Sequence, residues 1–309
     1  MKTEHIPFGP DAVARAAELI AAGQPVAVPT ETVYGLAADA TDGAAVAAIY
    51  AAKGRPSFNP LIVHVPDVGQ ARALASLSDA AERLARAFWP GPLTMVLPLR
   101  EGSRVASLAT AGLATVGLRV PAHPVMRAVL AAAGVPLAAP SANASGTISP
   151  TRADHVLRSL EGRIPLVIDG GASAMGLEST IVAVEPDRLR LLRPGPIDAA
   201  ALAAAGLPLA EAATGRIEAP GQLTQHYAPS KPVRLEAEAA EPGEWLIGFG
   251  PVPGDDTLSA FGDLVEAAAR LFDLLHAADR SPARAIAVAP VPHVGLGLAI
   301  NDRLRRAAA

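Results

Sequence analysis

The sequence predicts an α/β fold, and three observations carry that prediction. Helical stretches with recognisable caps alternate with short apolar runs along most of the 309 residues. Many of the runs are bounded by proline, of which the chain has 29, so strands should be short or at edges and the sheet need not be wholly parallel. The texture then changes after Ala205, and a second, shorter α/β pattern follows.

Taken in order, "PDAVARAAELIAAG" reads as a helix with Asp11 as its N-cap and Gly23 just past its end. "PVAVP" is a short strand, and "TDGAAVAAIYAAKG" a second capped helix. The next strand candidates are "LIVHV", "LTMVLPL", "TVGLRVP", "PLAAP", "PLVID", "STIVAV" and "LRLLRPG", with "SDAAERLARAFW" and "HPVMRAVLAAAG" as helices among them. From 206 to 231 neither period persists and turn formers dominate, so this stretch reads as a linker between a principal domain (1–205) and a small α/β domain (232–309). In the latter, "EWLIGFG" and "AIAVAPV" are buried strands around a long helix from Leu258 to Ala278, and a final helix begins near Leu298.

Half of the residues are apolar and 18% are charged, the balance of a globular chain with material for one large or two ordinary domains. A net charge of -4 argues against non-specific coating of nucleic acid, although a local basic groove is compatible with it. Without cysteine there is no disulfide, thiol nucleophile or Cys-based zinc site. The N-terminal "MKTEHIPFGP" has no apolar signal-peptide core, so a soluble cytoplasmic protein is expected.

Chemistry-bearing residues concentrate in a few loops. Lys53 and Arg55 flank a glycine at a helix end, either as a solvated terminus or as an anion site with Arg55 forked onto phosphate or carboxylate. Pro56 and Pro60 stiffen that loop and would preorganise Asn59; its spacing is not that of a Walker A loop. In "LIVHV", period-2 alternation puts Leu61, Val63 and Val65 on one face and Ile62 with His64 on the other. His64 is then a satisfied core histidine or a ligand to something, and no histidine stands in a metal spacing. Thr30, Glu31, Thr32 and Tyr34 follow a strand, as a tight turn or a substrate-orienting loop. Ser141, Asn143, Ser145, Thr147, Ser149 and Thr151 cluster around Gly146, which suits phosphate as well as an ordinary hydroxyl-rich turn.

Arg119 lies inside an apolar strand and needs a buried acid or a ligand carboxylate; Ser179, Thr180 and Arg193 stand at strand ends, in turns, salt bridges or a site. "GLGLAI" near Gly295 lacks the third glycine of a dinucleotide fingerprint. Cations and hydroxyl loops without an evident base, nucleophile or metal cage suit a reaction run by positioning and charge neutralisation, such as transfer at a nucleotide phosphate.

The motifs "PTETVYGLAADA", "KGRPSFNPLIVHV", "FWPGPLT", "GLRVP", "APSANASG", "EST" and "LRPGPI", in this order, resemble the YrdC-like threonylcarbamoyl-AMP synthases between Ala21 and Ile197. "HYAPSKPV" ahead of a small α/β domain resembles the longer, two-domain form. The resemblance implies a YrdC-like twisted mixed sheet with flanking helices, plus a small C-terminal Rossmann-like α/β domain. It implies a nucleotidyltransferase that condenses L-threonine, bicarbonate and ATP to threonylcarbamoyl-AMP and releases pyrophosphate, with Mg²⁺ held mainly by the ATP phosphates. The product would pass to a downstream tRNA threonylcarbamoyl transferase complex, for N6-threonylcarbamoyladenosine on tRNAs that read codons beginning with A.

By the same resemblance Lys53 and Arg55 would be catalytic, and Arg55, Asn59, Thr115, Ser141, Asn143, Ser149 and Arg193 would bind ATP, with His226 or Tyr227 closing as a lid. Thr32, His64, Arg119 and Ser179 would bind threonine. Gln222 departs from the methionine common in the family, which bears on lid geometry. Alanine at Lys53 or Arg55 is expected to remove activity with thermal unfolding nearly unchanged, as for solvent-facing ligands. The main alternative is a non-catalytic double-stranded RNA-binding module using the same cations. Carbamoyl transfer of the hydrogenase-maturation type needs Cys-rich zinc modules that a chain without cysteine lacks.

Overall fold

Strands buried on both faces need apolar residues at successive positions, and the first two hundred residues supply them. The computed structural model describes residues 2–205, 208–210, 218–221 and 226–309. Its larger sheet is built from β1 (Glu4–Pro7), β2 (Val26–Val28), β3 (Gly35–Asp39), β4 (Ile62–His64), β5 (Leu93–Pro98) and β6 (Thr115–Arg119). To these it adds β7 (Leu137–Ala138), β8 (Leu166–Asp169), β9 (Thr180–Val184), β10 (Leu189–Arg193) and β11 (Leu209–Ala210). The spatial order is β1-β8-β2-β3-β7-β4-β6-β5-β9-β10-β11. Pairings are mixed: β4 runs parallel to β6 and β5 to β9, whereas β2–β3, β5–β6 and β9–β10 are antiparallel.

The helices are α1 (Pro10–Ala21), α2 (Gly43–Lys53), α3 (Val68–Leu74), α4 (Asp79–Phe88), α5 (Pro124–Ala133), α6 (Ala153–Leu160) and α7 (Ala199–Ala204). Period 2 sorts the two faces. Val26 and Val28 of β2 pack with Ala16 and Ile20 of α1 and Val129 of α5, while Ala27 between them joins Ile49 of α2 and Leu84 of α4. Leu61, Val63 and Val65 lie in that second core, and Ile62 and His64 face the other way, as the alternation requires.

The smaller sheet contains β12 (Val233–Arg234), β13 (Glu244–Gly248), β14 (Asp256–Thr257) and β15 (Ala285–Val288), all parallel, with α8 (Leu264–Arg280) and α9 (Gly297–Ala307) packed on it. Phe272, Ile286, Ile300 and Leu304 centre its core, and Val33, Ile148 and Leu177 from the larger sheet's loops enter the same cluster. The two sheets thus share apolar packing. Among the described residues no helix is long and apolar enough to cross a membrane.

Three local expectations are corrected. Asp11 does not cap α1: the cap position is Gly9 with no side-chain bond, because Pro10 takes the first helical turn, where its missing N–H costs nothing. The long helix starts at Leu264, not Leu258, because Asp263 accepts from the Val265 and Glu266 amides and fixes the N-terminus there. Strand β3 escapes the apolar-run criterion because "GLAAD" is poor in β-branched residues and is held by its neighbours β2 and β7. Gln222 lies outside the described residues.

Candidate active site

Register brings the site together. The parallel pairing of β4 with β6 sets His64 opposite Arg119, and a bulge between Leu191 and Arg193 in β10 re-aims the Arg193 side chain as it pairs with β9. Helix α2 ends where Gly54 turns left-handed, which sends the chain back past its own last turn and seats Arg55 over Tyr50. The polar turn Thr30–Val33 connects β2 to β3; Thr30 Oγ1 donates to the Val33 carbonyl and accepts from the Thr32 and Val33 amides.

These segments enclose a cavity of about 50 Å³ lined by Thr32, Arg55, His64, Arg119, Ser141, Ser179, Arg193, His226 and Tyr227, together with Glu178 and Gly221. Nine residues expected from the sequence therefore share one wall. Lys53, Asn59, Asn143 and Ser149 stand just behind it. The Lys53 ammonium donates to the Ser141 and Asn143 carbonyls at 2.6 and 2.5 Å, and Asn143 Nδ2 donates to the Thr147 carbonyl at 2.9 Å. Asn59 offers its carbonyl to the Tyr50 hydroxyl and leaves Oδ1 without a partner. Ser149 donates to Glu178 Oε1. Thr115 is not brought to the cavity: it opens β6 at the end opposite Arg119, roughly 13 Å away along an extended strand.

The cations are buried, with Lys53 2%, Arg55 8%, Arg119 3% and Arg193 4% exposed. The sequence reading expected Lys53 and Arg55 to face solvent, and the structure corrects it by burying both. The tight reversal at Gly54 folds the loop inward, and carbonyls take the place of water around both side chains. Burial, then the neighbouring Arg55, push the Lys53 ammonium well below its ordinary pKa, and burial brings Arg55 down to about 10. Neither Arg55 nor Arg193 forms an ion pair among the described residues; Arg55 donates to the Pro60 carbonyl, and Arg193 to the carbonyl and hydroxyl of Ser179. Cations held by neutral acceptors are poised for an anion.

Arg119 differs in having an acid. Its Nη2 donates to Glu31 Oε1 at 2.6 Å, Nη1 to Thr32 Oγ1 at 3.0 Å and Nε to the Gly91 carbonyl at 3.1 Å. A guanidinium has five N–H donors, so one remains on each terminal nitrogen, the fork that a carboxylate takes. Burial pushes Glu31 up, but Arg119 outweighs it and holds the carboxyl at about 2. His64 is buried with both ring nitrogens unpartnered, and burial, then Arg119, lower it to about 3, so the ring is neutral. His226 Nδ1 and the Tyr227 hydroxyl are unpartnered as well. Several polar atoms aimed at one small cavity mark a place where a ligand completes the hydrogen bonding.

Both His226 and Tyr227 cap the cavity. Tyr227 adopts φ 64, unusual for a non-glycine residue, and its ring lies edge-on to His226 at 4.0 Å. Sequence reasoning passed over one acid, Glu178, and one arginine, Arg303, and it named Glu31 in the polar turn without pairing it to Arg119. Glu31 and Glu178 sit inside quoted motifs, and the need of a buried arginine for an acid is the signal that would have paired Glu31. Arg303, wholly buried beside Glu178, carries no such signal, because "NDRLRRA" reads as the solvated face of a last helix.

Comparison with known proteins adds the following. A Sua5/YciO/YrdC family model, described as "Telomere recombination", matches residues 18–195, and one described as "Threonylcarbamoyl-AMP synthase, C-terminal domain" matches 197–309. The chain is 37% identical to the threonylcarbamoyl-AMP synthase of Bacillus subtilis (strain 168) over 331 residues, covering 99% of this chain and 95% of that one. It is 41% identical over 317 residues to the enzyme of the same name from Pyrococcus abyssi (strain GE5 / Orsay), covering 94% and 92%. The crystal structure of P. abyssi Sua5 complexed with L-threonine superposes with a TM-score of 0.89 at 36% identity, covering 100% of this chain and 98% of that one.

Proposed function

The chain belongs to the two-domain Sua5/YciO/YrdC family, and from that premise we propose that it is a threonylcarbamoyl-AMP synthase. The reaction condenses L-threonine, bicarbonate and ATP, transfers the adenylyl group and releases pyrophosphate; the product supplies tRNA threonylcarbamoyladenosine formation. The observation that carries this reading is that one cavity joins a carboxylate fork on Arg119 to two guanidiniums, Arg55 and Arg193, held by neutral acceptors.

Threonine would be held by its carboxylate on Arg119, beside Thr32, His64 and Ser179. The threonine ammonium group and bicarbonate first form the carbamate with loss of water and a proton, and a carbamate oxygen then forms the new bond to the α-phosphorus of ATP as the bond to pyrophosphate breaks. Arg55 and Arg193, with Lys53 behind them fixing the Ser141–Asn143 backbone, neutralise the leaving charge. Because the carbamate is already an anion, the adenylyl-transfer step needs no base from the protein. Its work is alignment and charge.

A free volume of about 50 Å³ holds a few waters and not a nucleotide, so this is a closed form. The Pro220–Gly221 and His226–Tyr227 segments must lift for substrates to enter and return for reaction. Mg²⁺ would be held mainly by the ATP phosphates, since Glu178 in the cavity and Glu31 beside it are both engaged by arginines. Delivery to a tRNA threonylcarbamoyl transferase complex in the cytoplasm completes the proposal. The RNA-binding alternative is not favoured, because cations this deeply buried cannot reach the phosphates of a duplex.

The test is pyrophosphate release from ATP by the full chain, with threonine and bicarbonate supplied singly and together. Release should need both. Equal rates without threonine would sink the assignment.

A further inference from the structure

The last helix of the small domain places one side chain into the wall of the site in the larger one. Arg303 of α9 is 0% exposed. Its Nε donates to Glu178 Oε2 at 2.8 Å, and its Nη1 donates to the Pro194 carbonyl at 2.8 Å and to Asp302 Oδ2 at 2.9 Å. Its guanidinium also lies 5.4 Å from the centre of the Tyr227 ring. Glu178 immediately precedes Ser179, and Pro194 immediately follows Arg193. Those two residues are themselves bonded, Arg193 to the carbonyl and hydroxyl of Ser179.

One guanidinium therefore grips the chain on either side of a pair that lines the cavity, and supports the ring that caps it. The other oxygen of Glu178 accepts from Ser149 Oγ, so the grip extends to the hydroxyl loop. Burial raises the Glu178 carboxyl, but Arg303 and then Arg193 outweigh it and keep the group ionised. A buried ion pair adds little net stability, because desolvation offsets the attraction; what it fixes is geometry.

We propose that Arg303 is a positioning residue of the active site: it clamps Glu178 and Pro194 so that Ser179, Arg193 and the Tyr227 cap hold one arrangement. The small domain is then a working part of the site. This inference rests on the function proposed above and deepens it.

The experiment compares wild type, Arg303→Lys, Glu178→Gln and the double variant Arg303→Met with Glu178→Gln. Readouts are thermal unfolding, calorimetric binding of ATP, and KM and kcat for threonine-dependent pyrophosphate release. Lysine keeps a charge against Glu178 but cannot fork to Pro194 as well, and the double variant removes both charges of the buried Glu178–Arg303 pair while Asp302 keeps Arg306. Arg303→Lys should unfold within a few degrees of wild type yet lose on the order of 100-fold in kcat/KM for ATP, as a displaced site does. The double variant should bind ATP at least about tenfold more weakly than Glu178→Gln alone, which keeps Arg303 in place.

Arg152→Ala, which breaks the exposed Arg152–Asp273 ion pair between the domains, controls for loosened docking and should keep wild-type kinetics. A folded Arg303→Lys with wild-type kcat/KM overturns the proposal. So does a double variant that binds ATP as tightly as Glu178→Gln, or an Arg152→Ala that reproduces the loss. Failure of the function itself shows separately, as wild type that releases no pyrophosphate in the presence of all three substrates.

Discussion

At the scale of residues, the site is defined by what its cations lack. Arg55, Arg193 and Lys53 rest on carbonyls and hydroxyls, whereas Arg119 has Glu31. The difference decides how each responds to mutation. Lys53→Ala orphans the Ser141 and Asn143 carbonyls and leaves a hole where the buried stem was, so it should cost about 2 kcal/mol of stability as well as activity. Denaturant unfolding of an inactive Lys53→Ala that matched wild type would contradict the buried placement. The pattern "KGRPSFNP" announced cations in a stiff loop, but burial of their heads was not in it, since a helix end is ordinarily solvated.

At the scale of elements, helices with an apolar stripe and a local cap were legible at their positions. Gly54 and Gly134 end α2 and α5 in the left-handed region, and Asp42 and Ser78 cap α2 and α4 with side-chain bonds. The turn at Gly221 was not legible. It takes φ +84, and a Cβ built there would lie 2.9 Å from the Tyr227 hydroxyl and 3.0 Å from Arg193 Cδ. Gly221→Ala should therefore displace the cap and raise KM for ATP about tenfold, at a stability cost near ~1 kcal/mol. A KM within about twofold of wild type would show that this turn does not seat the cap.

At the scale of the whole molecule, burial of four histidines, His64, His123, His226 and His276, sets a pH dependence. His64, His226 and His276 are each lowered to about 3, first by burial and then by charged or ring neighbours: Arg119 at His64, Arg55 and Lys53 at His226, and the stacked His155 with Arg158 at His276. Glu178 near His226 and Glu31 near His64 oppose the shift without cancelling it. Between about 6.5 and 3 the unfolded chain binds protons that the folded one refuses, so stability falls as pH falls through that window. Glu31, held at about 2, loses its contribution only below its unfolded value near 4.5, so the range from about 6.5 to 4.5 reports the histidines. Unfolding temperature should drop by several degrees from about pH 7 to pH 5, and less so in His276→Phe; a flat profile would show the rings are protonated in the fold. The sequence by itself determined the alternation of strands and helices, the faces of "LIVHV", and the set of polar loops, because periodicity and turn chemistry are local. Only the tertiary structure decided that Glu31 engages Arg119, and that Arg303, some 125 residues from Glu178, completes the wall. Those pairings follow from register and domain packing, which bring together side chains that no local signal connects.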